Sequence, residues 1–217
     1  MNNINAIRVK ICGLFRDEDI EYANEAMPDY AGFVFAASKR QVSPSIAAGL
    51  RCRLCDEIIP VGVFVNASIT DIVSLYNDKI IAIAQLHGTE DEAYISRLKT
   101  ASAAGGREPV PVIKAVKIPA SGFCSGHEDK NAATEADYYL ADSGAGSGVP
   151  FNWDALARRP FSKPWFLAGG VNMRNLKQAM ALAPYAIDIS SGVETNGVKD
   201  REKMLGITSM IRKAENE

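Results

Sequence analysis

Two side chains of this sequence have the types and placing of an acid–base pair. Cys12 closes the run AIRVKIC, and Lys10 stands two residues before it, hence on the same face if that run is a strand. A cation there favours thiolate and turns the cysteine into a base or nucleophile; the plainer alternative is a small buried apolar side chain. Asp142 closes DYYLAD ahead of the glycine-rich SGAGSG. A carboxylate beneath such a loop suits a general acid if burial raises its pKa, and suits a loop cap equally well. Arg40 in FAASKRQVSP offers a planar fork for a carboxylate, or is an ordinary solvated charge. His87 in QLHG is either a hydrogen-bonded structural histidine or a catalytic one, and Asp188 is a second carboxylate one step inside its run.

A phosphate site is the strongest general signal. LAGG brings Gly169 and Gly170, and DISSGVE brings Ser190, Ser191 and Gly192. Their backbone N–H groups could cradle a phosphate with help from a short helix N-terminus. Each glycine alone also makes sense as a steric necessity of a turn.

The elements that would position these residues repeat along the chain. Short apolar runs lie at 6–12, 30–35, 60–65, 81–86, 110–116, 137–142, 164–168 and 185–190, about 27 residues apart over 217. Several are nearly continuous in apolar residues, as expected for parallel strands covered on both faces. Helical segments intervene. RDEDIEYANEAM carries acids in its opening turn, Ser43 caps a helix led by Pro44, and Thr89 with Glu92 has capping-box spacing. NMRNLKQAMALA and KDREKMLGITSMIRKA place apolar residues at helical intervals, FNWDALARR is a short helix, and 119–136 is the weakest stretch.

Eight strand–helix repeats predict a single (β/α)8 TIM barrel over residues 1–217 rather than an open doubly wound sheet, whose glycine-rich first turn is missing from CGLFRDED. In a barrel the chemistry sits where strands run into the following loops, which is where Cys12, Arg40, His87, Asp142, Gly169, Gly170 and the stretch from Asp188 to Gly192 fall. The loops after strands seven and eight are the recurrent barrel phosphate site.

Composition excludes several classes. With 24 basic and 26 acidic residues the formal charge is −2, without the basic excess of a nucleic-acid binder. At 47% hydrophobic and 23% charged the chain forms a core and is not disordered. No apolar run reaches the roughly 18 residues of a membrane span, and the opening MNNINAIRVK lacks the features of a signal peptide. Four cysteines make no disulfide scaffold, so a cytoplasmic location is expected. Cys52 and Cys55 form a lone CxxC, read as two small side chains on one helix face rather than a metal site.

These residues, in this order, resemble the phosphoribosylanthranilate isomerase family of tryptophan biosynthesis over essentially the whole chain. The matching stretches are VKICGL, GFVFAASKRQVSP, VGVFVN, QLHGTE, VIKAV, ADSGAGSG with FNW, LAGGVN and DISSGVETNGVKD. The resemblance implies a ribulose-phosphate-binding TIM barrel and a cofactor-free, metal-free Amadori rearrangement of N-(5-phosphoribosyl)anthranilate to 1-(2-carboxyphenylamino)-1-deoxyribulose 5-phosphate. It puts the general base on Cys12 and the general acid on Asp142. Arg40 takes the substrate carboxylate, and Gly169, Gly170, Ser190, Ser191 and Gly192 take the phosphate. Lys10, His87 and Asp188 are supporting residues.

Two departures stand out: Val149 where the family often has a basic residue, and Asn152 where it usually has aspartate. The partner implied is a small phosphorylated molecule, with no nucleic acid and no membrane, and the protein is a monomer or homodimer. Two alternatives are an aminoaldose–ketose isomerase of histidine synthesis, expected to carry aspartate where Cys12 stands, and a non-catalytic phosphate-binding barrel.

Overall fold

A computed structural model describes residues 6–117, 135–142, 156 and 161–214. Eight parallel strands close on themselves: β1 (Arg8–Cys12), β2 (Tyr30–Val34), β3 (Ile59–Phe64), β4 (Ile83–Leu86), β5 (Val112–Lys117), β6 (Tyr138–Asp142), β7 (Trp165–Leu167) and β8 (Ala186–Ile189). β8 returns to β1 with Lys10 opposite Asp188, which completes the barrel. All eight apolar runs of the sequence are strands. They are apolar nearly throughout because each is covered on both faces. Inside, Tyr30, Val61, Ile83, Ile113, Leu140, Phe166 and Ala186 form one buried cluster. Outside, Val9, Ile11, Phe33 and Ile187 pack on the helices.

Side chains alternate along each strand, so the interior cluster fixes what the strand ends present. Leu140 inward puts Asp142 inward, and Ile83 inward puts Gln85 and His87 inward. On β1 the inward pair is Lys10 and Cys12. The C-terminal ends of the strands therefore collect the polar groups at one mouth.

Helices α1 (Asp17–Ala26), α2 (Pro44–Arg53), α3 (Ile69–Asn77) and α4 (Glu92–Ser102) lie outside, followed by the helices Leu176–Ala181 and Arg201–Ala214. Asp17, Glu18 and Asp19 open α1, where the helix dipole favours negative charge. Ser43 caps α2 by accepting the Ile46 N–H at 3.2 Å, with Pro44 at the first position.

Two sequence expectations differ from the structure, and one helix carried no local signal. The cap of α4 is Asp91, which accepts the Tyr94 N–H at 2.8 Å; Thr89 is drawn off to donate to Asn66 Oδ1. α3 is not among the segments picked out as helical, although the eightfold repeat calls for a helix there; Ile69, Thr70, Ile72 and Val73 are β-branched, and burial of Ile72 and Leu75 overrides that weak propensity. Cys52 sits in the last turn of α2 while Cys55 lies past its end, hydrogen-bonded to Asn24 and Glu57, so the two do not share a helix face. The expected helix at FNWDALARR, apart from Leu156, and residues Cys124, Gly144, Val149 and Asn152 lie outside the described residues. No helix among the described residues is long and apolar enough to cross a membrane.

Candidate active site

The β1–β8 side of the mouth is built from paired charges. Lys10 is fully buried and donates to Asp188 Oδ1 at 2.9 Å. Lys199 is also buried; it donates to the Ser190 carbonyl at 3.0 Å and to Glu194 Oε1 at 2.9 Å. Burial pushes the Lys199 ammonium below its ordinary value, against the pull of Glu194. Cys12 lies among these groups, 8% exposed. Burial pushes its thiol above the ordinary 9.0, although Lys10 and Lys199 both pull it down. The expectation that Lys10 would favour thiolate thus holds in direction and fails in outcome. Asp188 already neutralises Lys10 and itself raises the thiol, and desolvation of the charged sulfur is larger still.

Two glycines make room here. A Cβ on Gly32 would lie 2.8 Å from Cys12 Sγ. Gly13 follows Cys12 with φ +82°, and a Cβ there would lie 2.4 Å from Arg40 Cδ. The glycine of KICG therefore lets the arginine cross the end of β1.

Arg40 is held by Glu194. Nε donates to Oε1 at 2.6 Å and Nη2 to Oε2 at 2.8 Å, a two-point fork. Burial works against the Glu194 carboxylate, but the hydrogen bonds from Arg40 and Lys199 prevail and hold its pKa below the ordinary 4.5. Glu194 and Val198–Lys199 belong to a two-stranded antiparallel hairpin that follows β8.

The glycine loops meet above β7 and β8. Gly169 and Gly170 take φ of +88° and +79°, and the Gly170 carbonyl accepts from Asn172 Nδ2 and Asn175 Nδ2 at 2.9 and 3.0 Å. Ser191–Val193 form a single 3-10 turn. Gly192 is required sterically, since a Cβ would come within 1.9 Å of the Val171 carbonyl oxygen. Ser190 Oγ donates to the Cys12 carbonyl at 2.9 Å, tying the loop after β8 to the end of β1.

The β4–β6 side is held by hydrogen bonds instead. His87 Nε2 lies 2.9 Å from Asp142 Oδ2, and Gln85 Nε2 lies 3.2 Å from His87 Nδ1. Beside them Lys114 donates to the Gly88 carbonyl and to Glu90 Oε2 at 2.8 and 3.0 Å.

A cavity of about 240 Å³ joins the two sides. Cys12, Arg40, His87, Asp142 and Asp188 line it together with Gly169, Gly170, Ser190 and Ser191. A second cavity of about 470 Å³ adjoins it, sharing His87 and Asp142. Of the residues singled out in the sequence, only Lys10, beneath the floor, and Gly192, packed between loops, do not line the first cavity. Gln85, Glu194 and Lys199 were not singled out. The period-2 alternation on β4 pointed to Gln85, whereas no local signal joins Glu194 to an arginine 154 residues away.

Inward-facing titratable groups gathered at one mouth of a closed parallel barrel define a (β/α)8-barrel enzyme. A profile of the N-(5'phosphoribosyl)anthranilate (PRA) isomerase family matches residues 9–209. The N-(5'-phosphoribosyl)anthranilate isomerase of Endomicrobium trichonymphae is 47% identical over 213 residues, covering 94% of this chain and 98% of that one. The phosphoribosyl anthranilate isomerase structure from Thermus thermophilus superposes with a TM-score of 0.79 at 31% identity, over 96% and 100% of the two chains. A further phosphoribosyl anthranilate isomerase structure holds reduced 1-(o-carboxyphenylamino)-1-deoxyribulose 5-phosphate; it matches with a TM-score of 0.73 at 32% identity, over 97% and 100%.

The chain belongs to the phosphoribosylanthranilate isomerase family, aldose–ketose isomerases of tryptophan biosynthesis. The comparisons favour neither the histidine-synthesis alternative nor the non-catalytic one.

Proposed function

We propose that this mouth carries out the Amadori rearrangement of N-(5-phosphoribosyl)anthranilate with Cys12 as general base and Asp142 as general acid, within a single domain spanning residues 1–217. The observation that carries the assignment is that the two side chains reach one 240 Å³ cavity from β1 and β6, with the glycine loops on its rim. Asp142 protonates the ribose ring oxygen, the C1–O bond breaks and the nitrogen lone pair forms a protonated Schiff base. Cys12 then removes the C2 proton. The resulting enolamine takes a proton at C1, and its C2 hydroxyl gives up its proton to become the ketone. The iminium is itself the electron sink, so the route draws on no cofactor and no metal.

The surroundings support these roles. A thiol raised by burial is a stronger base once ionised, and Lys10 and Lys199 lie close enough to stabilise the thiolate. The Nε–Nη2 edge of Arg40 is engaged by Glu194, which leaves the Nη1 edge for the anthranilate carboxylate. The phosphate falls to Gly169, Gly170, Ser190, Ser191 and Gly192, with Lys10, His87 and Asp188 supporting the pair. The setting is the cytoplasm, with the protein a monomer or homodimer.

Cys12→Ser and Asp142→Asn each lower turnover by about two to four orders of magnitude while the fold survives. Fluorescence of freshly prepared phosphoribosylanthranilate reads this, and near-native turnover in either variant contradicts the corresponding role.

A further inference from the structure

Gln85 is 1% exposed, and its Oε1 is a buried oxygen that accepts no hydrogen bond among the described residues. An orphaned buried acceptor costs on the order of 1–3 kcal/mol, so a glutamine here calls for an explanation. The other end of the same carboxamide supplies one. Nε2 only donates, so His87 Nδ1 at 3.2 Å must accept; the ring proton is then on Nε2, which donates to Asp142 Oδ2 at 2.9 Å. In this arrangement Nδ1 carries no proton and Oδ2 of Asp142 accepts, so that oxygen has no proton to give to substrate.

Resting on the reading of Asp142 as the acid, we propose that Gln85 is a positioning residue that switches the His87–Asp142 pair between an empty and a proton-loaded state. One proton taken from solvent goes onto the pair, leaving His87 with N–H at Nδ1 and the other proton shared between Nε2 and Oδ2. The carboxamide turns over, and the orphaned Oε1 accepts the new Nδ1–H. The turn exchanges two atoms of nearly equal size, so it needs no repacking of the barrel interior. The orphaned oxygen is thus the acceptor of the loaded state, the one in which Asp142 protonates the ring oxygen.

Around the pair stand Cys12 and Lys10 of β1, Arg40 after β2, Glu90 after β4, Lys114 of β5 and Asp188 of β8; Lys117 is the partner of Asp142 in strand register. Lys10 is bound to Asp188, Arg40 to Glu194 and Lys114 to Glu90, each within 3.0 Å. Beside these matched charges, the Gln85 carboxamide is a neutral group able to present either a donor or an acceptor to the pair.

The test uses 15N-labelled histidine in the intact protein, which has only His87 and His127, with His127→Asn to assign the signals. As pH falls, His87 Nδ1 changes from unprotonated to protonated. In Gln85→Leu the midpoint moves down by about one pH unit, because the loaded Nδ1–H loses its acceptor. At pH values above the midpoint kcat/KM falls about tenfold with it. Gln85→Glu keeps an acceptor and holds the midpoint at or above the original.

A His87 Nδ1 that stays unprotonated throughout the pH range of activity overturns the proposal, since the acid's proton would then sit on Oδ1 alone. So does an unmoved midpoint in Gln85→Leu. If that variant does not fold, the titration of the unaltered protein decides. Asp142→Asn separates the two readings: turnover that survives in it contradicts Asp142 as the acid, whereas an inactive Asp142→Asn beside an unmoved Gln85→Leu midpoint contradicts only the switch.

Discussion

Among the described residues on the β1–β8 side of the mouth, the buried Lys10 and Lys199 and the partly buried Arg40 are each met by a carboxylate: Lys10 by Asp188, and Arg40 and Lys199 by Glu194. On the β4–β6 side the groups that reach the cavity, Gln85, His87 and Asp142, are joined by a chain of hydrogen bonds in which each proton has two possible homes. The difference fits the proposed division of labour, with the base on the first side and the acid on the second. A base that must hold a thiolate in a dry pocket needs fixed positive charge close by, yet unpaired charge there would be prohibitive. An acid that must gain and lose a proton each cycle is better served by neighbours that change their own hydrogen bonding.

Breaking the paired side has the larger structural effect. Lys10→Met leaves Asp188 buried without its partner and costs about 3–5 kcal/mol of stability. His87→Asn, on a half-exposed ring, costs no more than about 1 kcal/mol. Urea unfolding reads both, and equal losses would erase the contrast between the two sides.

Next in size is Arg40→Ala, which removes the Nη1 edge proposed to meet the substrate carboxylate. KM rises about 10- to 100-fold while kcat changes little, the loss of a charge-assisted hydrogen bond of about 1.5–3 kcal/mol. A lowered kcat at unchanged KM would move Arg40 from binding into the proton transfers.

The smallest effect is a pH dependence of stability. Arg40 and Lys199 hold Glu194 below the ordinary 4.5, so its contribution is complete above that value and is lost as pH falls through the lower folded-state pKa. Glu194→Gln removes that share, so its stability falls less steeply below pH 4.5 than that of the unaltered protein. Chemical unfolding at a series of acid pH values reads the slope, and parallel slopes would mean that the fork does not stabilise the fold.

The strands were legible because a parallel barrel buries both faces of each strand, leaving eight compact apolar runs that loops interrupt. Cys12 and Asp142 were legible for the same reason, as reactive side chains at the ends of such runs. Local signals failed where burial or a distant partner decided the outcome. The β-branched residues of α3 concealed a helix that packing enforces, and Thr89 had the spacing of a cap but is claimed by Asn66 from the neighbouring loop. Lys10 was correctly placed beside Cys12, yet its effect depends on Asp188, 178 residues further on, and on a desolvation that no local window contains. The role of Glu194 as keeper of Arg40 appears only when the hairpin after β8 folds back over β2.

The central claim is that the proton at substrate C2 leaves to Cys12 on the charge-paired side. Substrate carrying deuterium at C2, followed by NMR, tests it without depending on product release being fast. The account predicts that the unaltered protein removes the label from C2 during turnover. Cys12→Ser, with substrate still bound, should remove it about two to four orders of magnitude more slowly. Loss of the label from C2 at a near-native rate in Cys12→Ser would contradict the account.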